Sequence, residues 1–239
     1  MKKLLVMAVV ALLGAGAAQG QEIRDMFGKD RKGEIACGVR AGLNISSLKG
    51  EWAPDRSLDY KSRAGFQIGA VVDLPVFNGF YVQPGLSFTT RGARKKVTEE
   101  GETETTKLQP FYLQIPVLAS FRAEVSRSVN VQVNVGPHLA IGLGGKEKWE
   151  YSYDGETEKG DVPFFGKSKE GENGERFGAK RFDFGLSFGA GVTIRKHYYV
   201  GIQYDLGLVN MAIHDDEFAY SDKTKFRNGN FAVQLGYNF

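Results

Sequence analysis

Alternation of apolar and polar side chains, repeated in separate segments, most restricts how this sequence can fold. In the last segment Phe, Val, Leu, Tyr and Phe alternate with Ala, Gln, Gly and Asn. Successive side chains of a β-strand point to opposite faces, so such a strand has one apolar and one polar face. The pattern predicts eight strands, at 35–46, 63–74, 80–91, 108–124, 129–141, 181–194, 198–208 and 231–239.

The connections between these segments alternate in length. Those after the second, fourth and sixth segments are short, whereas the others are long and polar, with 144–179 the longest. Outer-membrane barrels place short turns at the periplasmic end and long loops outside. The segments also reach the ~9–11 residues that a tilted membrane-spanning strand needs. We therefore predict an all-β fold, an eight-stranded antiparallel up-and-down transmembrane β-barrel.

A soluble eight-stranded barrel, with its apolar face turned inward around a small ligand, also predicts alternation. Aromatic residues favour the membrane barrel, because a ring of Phe and Tyr at one height is typical of a membrane interface. The polar face, rich in Gly, Ser, Gln and Asn, is a poor lining for an apolar cavity. The aromatic residues near the end with the short turns are Phe77, Phe80, Tyr81, Phe121, Tyr198, Tyr199, Tyr237 and Phe239.

The first 20 residues have the composition of an export signal. Lys2 and Lys3 precede the apolar run 4–13, and small residues follow at the expected cleavage site. The run has about half of the ~20 residues that a spanning helix needs. We predict a cleaved signal peptide at 1–20, a periplasmic segment at 21–34 and a barrel domain at 35–239, located in the cell outer membrane of a Gram-negative bacterium.

Charge and composition exclude several classes of function. The net charge of +3 includes two signal-peptide lysines, so there is no electrostatic case for nucleic acid. The single cysteine, Cys37, cannot form an internal disulfide. His138, His197 and His214 fall in different parts of the predicted barrel, which gives no metal site. We predict no cofactor.

Several motifs, in order along the chain, resemble the PorT-like outer-membrane β-barrel family. They are GVRAGLNIS at 38–46, YLQIPVL at 112–118, GPH at 136–138, FDFG at 182–185, YDLGLVN at 204–210 and LGYNF at 235–239. The resemblance implies a barrel inserted by the barrel assembly machinery, which in such proteins reads a C-terminal aromatic strand like the one ending in Phe239. It implies no activity. Most members are barrels of undefined role, and the namesake is linked to a secretion system.

Charged residues on the polar face are candidates for a functional lumen. An eight-stranded barrel has an interior just wide enough for side chains, and unpaired charges there are costly. We predict a polar network that fills the lumen, with a narrow ion or proton pathway as the alternative. The residues are Arg40, Asp73, Arg91, Arg122, Glu124, Arg181, Asp183 and Asp205.

His138 faces the same interior and is a candidate general base. Some eight-stranded outer-membrane barrels modify lipid A with a Ser/His pair. However, the neighbours of His138 two residues away on its strand are Gly136 and Ala140, which carry no hydroxyl. We therefore predict that the protein is not an enzyme and keep a lipid A-modifying activity as the weaker alternative.

The loop 144–179 contains nine acidic and six basic residues, too mixed for nucleic acid. It is either a solvated loop or a recognition surface, since aromatic anchors in a polar setting suit binding. We predict a non-enzymatic scaffold or surface-interaction protein; the alternative is a component of a secretion or envelope-assembly machine. Expected partners are outer-membrane lipid, lipopolysaccharide, the barrel assembly machinery and an unidentified envelope protein. The aromatic residues are Trp149, Tyr151, Tyr153, Phe164 and Phe165.

Overall fold

Antiparallel β-strands form nearly all of the structure, a computed structural model that describes residues 35–53, 56–57, 60–77, 79–99, 101–154, 156–166, 179–213 and 225–239. The predicted signal peptide and periplasmic segment, and His214, lie outside these residues. The strands are β1 (Ala36–Ala53), β2 (Arg56–Ser57), β3 (Lys61–Phe77), β4 (Phe80–Thr90), β5 (Ala93–Glu99), β6 (Glu102–Ser126), β7 (Val129–Tyr153), β8 (Glu156–Pro163), β9 (Phe182–Ile194), β10 (Tyr198–Gly207) and β11 (Lys225–Asn238).

Eight of these strands close into a ring. β1 pairs with β3 along one edge and with β11 along the other, and the ring runs β1-β3-β4-β6-β7-β9-β10-β11. The pairing of β1 with β11 extends from Gly38 opposite Asn238 to Glu51 opposite Lys225. A closed ring pairs the backbone of every strand within it, as a hydrocarbon environment requires. The predicted eight-stranded up-and-down barrel is therefore confirmed.

The apolar face of the ring points outward. On neighbouring positions of β1, Leu43 is 75% exposed and Asn44 is 2% exposed. On β7, Val133 is 52% exposed and Gln132 is 2% exposed. This is the reverse of a soluble barrel, so the interior is polar and the exterior is suited to lipid. The described residues contain no helix long and apolar enough to cross a membrane.

Beyond the barrel, β6 and β7 continue into a smaller sheet. Both have 25 residues, more than the ~9–11 that span a membrane. β5 pairs with this part of β6, and β8 pairs with the end of β7. We call β5, 102–110 of β6, 145–153 of β7 and β8 the extracellular sheet, because the short turns at the opposite end mark the periplasmic side.

Part of the predicted loop 144–179 is thus regular structure. Residues 144–153 continue β7, and Glu156–Pro163 returns antiparallel to it as β8. Alternating hydrophobicity does not mark these strands, because water covers both faces of a sheet outside the membrane and polar side chains suit either face. Ladder hydrogen bonds hold the strands together without that pattern.

Candidate functional site

Arg91 is the centre of a buried polar layer in the outer half of the lumen. It follows β4, and its guanidinium lies 3.1 Å from Asp183 Oδ2 on β9 and 3.4 Å from Asp205 Oδ2 on β10. Arg91 also donates to Gln114 Oε1 at 2.6 Å. All of these side chains are at most 2% exposed. One cation therefore holds two carboxylates from the far wall of the barrel.

Amides and a hydroxyl supply the remaining donors to these two carboxylates. Asn228 Nδ2 donates to Asp183 Oδ2 at 3.1 Å. Ser187 Oγ and Gln203 Nε2 donate to Asp205 Oδ1 at 2.7 and 2.8 Å, and Asn230 Nδ2 donates to Asp205 Oδ2 at 3.3 Å. Such donors compensate for the lost hydration of buried charge. We call Arg91, Gln114, Asp183, Asp205 and the residues that bond them the upper polar layer.

A second polar layer lies nearer the periplasmic end. Arg122 Nη2 on β6 is 2.6 Å from Asp73 Oδ1 on β3, and Gln83 Nε2 donates to the same oxygen at 2.6 Å. The Arg122 guanidinium also stacks 4.4 Å from the centre of the Tyr81 ring. Arg40 lies 4.2 Å over the Tyr199 ring. Here aromatic faces, together with one carboxylate, accommodate the two arginines.

An apolar cluster covers the upper polar layer at the outer mouth of the barrel. Phe165 packs edge-on against Tyr112, with ring centres 5.5 Å apart, and against Phe164 at 4.9 Å. A Cβ on Gly142 would overlap the Phe165 ring, so glycine leaves the space that this ring occupies. We call these residues the apolar cap: Leu48, Ala93, Leu108, Tyr112, Ala140, Phe164, Phe165, Ala179, Met211, Ala212 and Phe226.

Two residues expected in the lumen lie elsewhere. Arg181 is exposed; it donates to the Gly142 carbonyl at 2.9 Å, and its guanidinium lies 5.2 Å from the centre of the Phe165 ring. It precedes β9, so strand alternation does not direct its side chain inward. Glu124 is also exposed, near the periplasmic end of β6. Six of the expected lumen residues are inside the barrel, in two separate layers: Arg40, Asp73, Arg91, Arg122, Asp183 and Asp205.

His138 has a hydroxyl neighbour that sequence reasoning missed. Its Nδ1 is 2.9 Å from Ser187 Oγ, on the adjacent strand β9. Gly136 pairs with Ser187 and His138 pairs with Gly185, so the contact depends on the β7–β9 register. No short turn joins these two strands, and the spacing along β7 alone therefore gave no signal.

The direction of these hydrogen bonds differs from that of a hydrolase triad. Ser187 donates its only hydroxyl proton to Asp205, so it accepts from His138 Nδ1–H. In a Ser-His-Asp triad the serine donates to the imidazole, which then acts as the base. His138, Ser187 and Asp205 are each at most 1% exposed. The three residues form a structural chain that attaches Asp205 to β7.

The five aromatic residues of 144–179 divide between two environments. Phe164 and Phe165 are 6% and 7% exposed in the apolar cap. Tyr151 and Tyr153 are 37% and 55% exposed on the extracellular sheet, and Trp149 lies against Gly160 on the neighbouring strand. Only the second group is accessible for recognition.

The exposed aromatics share their face of the sheet with acidic residues. The Tyr151 hydroxyl hydrogen-bonds Glu102, and this bond raises the pKa of Tyr151 above its usual value. Glu104 and Glu158 stand opposite Tyr151 on the two neighbouring strands. On β6, Leu108 and Tyr112 lie on the same side of the strand as Glu104 and are buried in the apolar cap. This acidic and aromatic face therefore continues the inner surface of the barrel.

Phe239 lies at the periplasmic end, beside the start of β1. Its ring is 72% exposed and 5.5 Å from the Tyr237 ring, while its backbone N–H donates to the Cys37 carbonyl at 2.9 Å.

Within the described ranges, no group of three or more His, Cys, Asp or Glu side chains has an arrangement able to hold a metal ion.

Comparison with known proteins gives a family match over most of the chain. The model of a family described as outer membrane protein beta-barrel domain matches residues 17–212. No curated protein matches significantly.

Solved outer-membrane proteins resemble the structure at low sequence identity. Ail, the attachment invasion locus protein of Yersinia pestis, is 16% identical; the match covers 87% of this chain and 100% of Ail, with a TM-score of 0.37. For Neisserial surface protein A, the identity is 11%, the coverages 88% and 100%, and the TM-score 0.42. OprG of Pseudomonas aeruginosa is 8% identical; the match covers 88% of this chain and 98% of OprG, with a TM-score of 0.41.

Proposed function

Because this chain belongs to the outer membrane protein beta-barrel domain family and is located in the cell outer membrane, we propose that it is a non-enzymatic anchor for surface contacts. The observation that carries the proposal is the continuity of β6 and β7, which run from the periplasmic turn through the barrel into the extracellular sheet. A rigid barrel fixes the sheet at the surface, and the sheet supplies the specificity.

The filled lumen supports an anchor rather than a pore. Two charged layers and the apolar cap lie one above another inside the ring. A proton or ion path would have to cross the cap, where Phe165 packs against Tyr112. We therefore expect reconstituted protein to give no steady conductance in a planar bilayer.

The buried Ser187–His138 contact supports a role without catalysis. The serine proton is directed to Asp205, and no substrate reaches side chains at most 1% exposed. If the protein were a lipid A-modifying enzyme, overexpression would change the mass of lipid A, and His138→Ala would abolish that change. We expect the same lipid A mass spectrum with wild type, His138→Ala and no protein.

We keep the narrower PorT-like identity within the proposal, because the motifs that resemble that family occupy β1, β6, β7, β9, β10 and β11. Its link to a secretion system makes an envelope machine the alternative setting. In that setting the acidic and aromatic face of the extracellular sheet, with Trp149 and Tyr151, would contact another protein.

Cysteine labelling tests the placement of the sheet. In a Cys37→Ser background, Tyr153→Cys puts a thiol near the end of the sheet and Arg127→Cys puts one in a short turn; both native side chains are exposed. A membrane-impermeant maleimide should label Tyr153→Cys in intact cells and Arg127→Cys only after lysis. The reverse result would contradict the orientation and the proposed function.

The same Tyr153→Cys variant, carrying a photocrosslinker, distinguishes a solitary anchor from an assembly component. Capture of lipopolysaccharide alone supports the anchor. Stoichiometric capture of one envelope protein, lost from an Arg127→Cys control, would instead place the barrel in a machine.

A further inference from the structure

The two faces of the extracellular sheet carry opposite charge. Directly paired residues on adjacent antiparallel strands share a face. One face is the acidic and aromatic surface described above. The other, which we call the basic face, has six cations and two carboxylates: Arg94, Lys96, Lys107, Lys146, Lys148, Lys159, Glu150 and Asp161.

Three cations of the basic face stand directly opposite one another. Arg94 on β5 pairs with Lys107 on β6, and Lys107 pairs with Lys148 on β7. Like charges in this position destabilise a sheet. A row of three cations on adjacent strands therefore favours the approach of anions.

The two carboxylates of the face neutralise this row only in part. Asp161 forms an ion pair with Lys146 and stands directly opposite Lys148, and both lysines hold the pKa of Asp161 below its usual value. Glu150 Oε2 is 3.9 Å from Lys107 Nζ, and both side chains are more than one-third exposed. Six cations against two carboxylates leave a net charge of +4 on the face.

The basic face points away from the barrel axis. On β6, Lys107 lies on the same side of the strand as Phe111, which faces outward. Leu108 and Tyr112 lie on the opposite side and are buried in the apolar cap. On β7 one extra residue near Leu143 shifts the register, so that Lys148 stays on the same side as Lys107. The row therefore continues the lipid-facing wall of the barrel.

The height of the row matches the headgroups of the outer leaflet. Lys107 is four residues beyond Phe111, the outermost apolar residue on the outer side of β6. At ~3.3 Å per residue and a strand tilt of ~35–45°, the row stands ~10 Å above the apolar band. Phosphates of the surface glycolipid lie in this zone.

We propose that the row Arg94–Lys107–Lys148 binds phosphate groups of lipopolysaccharide in the surrounding outer leaflet. The phosphates occupy a shallow groove of about 310 Å³, in which four lysines outnumber two carboxylates. Its charged lining consists of Lys107, Lys146, Lys148, Lys159, Glu150 and Asp161. Their charge offsets the repulsion within the row, and the bound lipid orients the sheet on the membrane surface. This inference rests on the extracellular placement in the proposed function.

A matched pair of variants tests the site in full-length protein held in zwitterionic detergent micelles. The test variant is Arg94→Gln with Lys107→Gln and Lys148→Gln. The control is Lys95→Gln with Lys180→Gln and Lys196→Gln, which removes the same charge from exposed positions off the basic face. A cation near an anionic lipid surface raises affinity about fivefold, so the test variant should bind purified lipopolysaccharide about 100-fold more weakly and the control should be unchanged.

Further arms separate the sources of the anion. Dephosphorylated lipopolysaccharide should bind wild type as weakly as intact lipopolysaccharide binds the test variant. Equal binding of the two lipids, or unchanged affinity in the test variant, overturns the proposal. Tighter binding of a free sulfated glycan than of lipopolysaccharide also overturns it and assigns the face to a soluble polyanion.

A pair of cations on another side of the barrel is the alternative site for lipopolysaccharide phosphates. Lys49 pairs with Arg227 at the same number of residues beyond Ile45 and Phe231. A larger loss in Lys49→Gln with Arg227→Gln than in the test variant overturns the assignment to the basic face. If the triple variant fails to assemble, Lys148→Gln alone should weaken binding about fivefold. Correct surface labelling at Tyr153→Cys without phosphate-dependent binding overturns this inference alone and leaves the proposed anchor intact.

Discussion

Arg91 and Asp205 project from opposite walls of the barrel and meet in the lumen, with Nη2 of the arginine 3.4 Å from Oδ2 of the carboxylate. Arg91 follows β4, and Asp205 lies on β10, the strand diametrically opposite in the eight-stranded ring. Arg91 also lies 3.1 Å from Asp183 Oδ2, so this one side chain binds two carboxylates of the far wall. This ion pair, which we call the cross-brace, therefore connects opposite walls of the barrel through its filled interior.

We expect Arg91→Met to destabilise the barrel strongly. It leaves Asp183 and Asp205 buried without a cation, a loss that costs ~3–5 kcal/mol in comparable sites. Asp205→Asn should cost less, because Arg91 still pairs with Asp183. Urea unfolding in lipid vesicles, with exposed Lys95→Gln as control, measures the difference. Equal stability of Arg91→Met and wild type would show that the cross-brace contributes nothing.

Replacing the whole charged group should recover much of this loss. Arg91→Met combined with Asp183→Leu and Asp205→Leu removes every unpaired charge, and such replacements are often neutral or stabilising. The triple variant should unfold at a higher urea concentration than Arg91→Met alone. A still lower midpoint would indicate that the surrounding amides, which would lose their acceptors, outweigh the charges.

The outward assignment predicts a cost that depends on depth. Val135→Arg, near the midpoint of the outward apolar residues of β7, should destabilise the barrel by ~2–4 kcal/mol, whereas Leu208→Arg, near the outer boundary, should cost ~0–1 kcal/mol. Both native side chains are at least 40% exposed, so packing is not the main difference. Vesicle insertion yield and urea unfolding measure the two costs. Similar costs at both positions would contradict the assigned depth.

The aromatic residues of 144–179 should divide by burial. Phe165→Ala should lose ~3–5 kcal/mol, because it leaves a cavity beneath Phe164 and beside Tyr112. Tyr151→Ala, at an exposed site, should change the free energy of unfolding by only ~0.5 kcal/mol. Conductance should stay absent in both variants, since the polar layers remain. A steady current in Phe165→Ala would show that the apolar cap alone closes the barrel.

Tyr60, at the outer mouth beside the apolar cap, gives a testable pH dependence. Burial, with Glu147 and Glu104, raises its pKa to about 12. Because the folded pKa exceeds the unfolded value of ~10, Tyr60 loses its proton at a lower pH in the unfolded state than in the folded state. The contribution of neutral Tyr60 to the free energy of unfolding is therefore complete below pH ~10 and is lost as pH rises toward the folded pKa. Stability should fall more steeply over this range in wild type than in Tyr60→Phe, in unfolding experiments followed by tyrosinate absorbance. Parallel pH profiles would contradict the raised pKa.

The sequence alone determined the barrel. Alternation with period two fixes which side chains share a face, and the closed ring of β1 to β11 follows from eight such strands with alternating short and long connections. It also identified most of the charged residues in the lumen, because a polar side chain in a spanning strand has only the interior available. Arg181 and Glu124 were the exceptions within the lumen set. Arg181 lies just before β9, where alternation no longer governs direction, and Glu124 lies exposed near the periplasmic end of β6.

Only the tertiary structure decided which of these residues meet. Ser187 reaches His138, and Arg91 reaches Asp205, through strand register and ring closure between segments far apart in sequence. The extracellular sheet was also beyond the sequence pattern, because outside the membrane both faces of a strand are solvated and alternation loses its physical cause. Its segregation of charge appears once the ladders place Arg94, Lys107 and Lys148 in one row, since pairing between strands, rather than order along the chain, sets the distance between side chains.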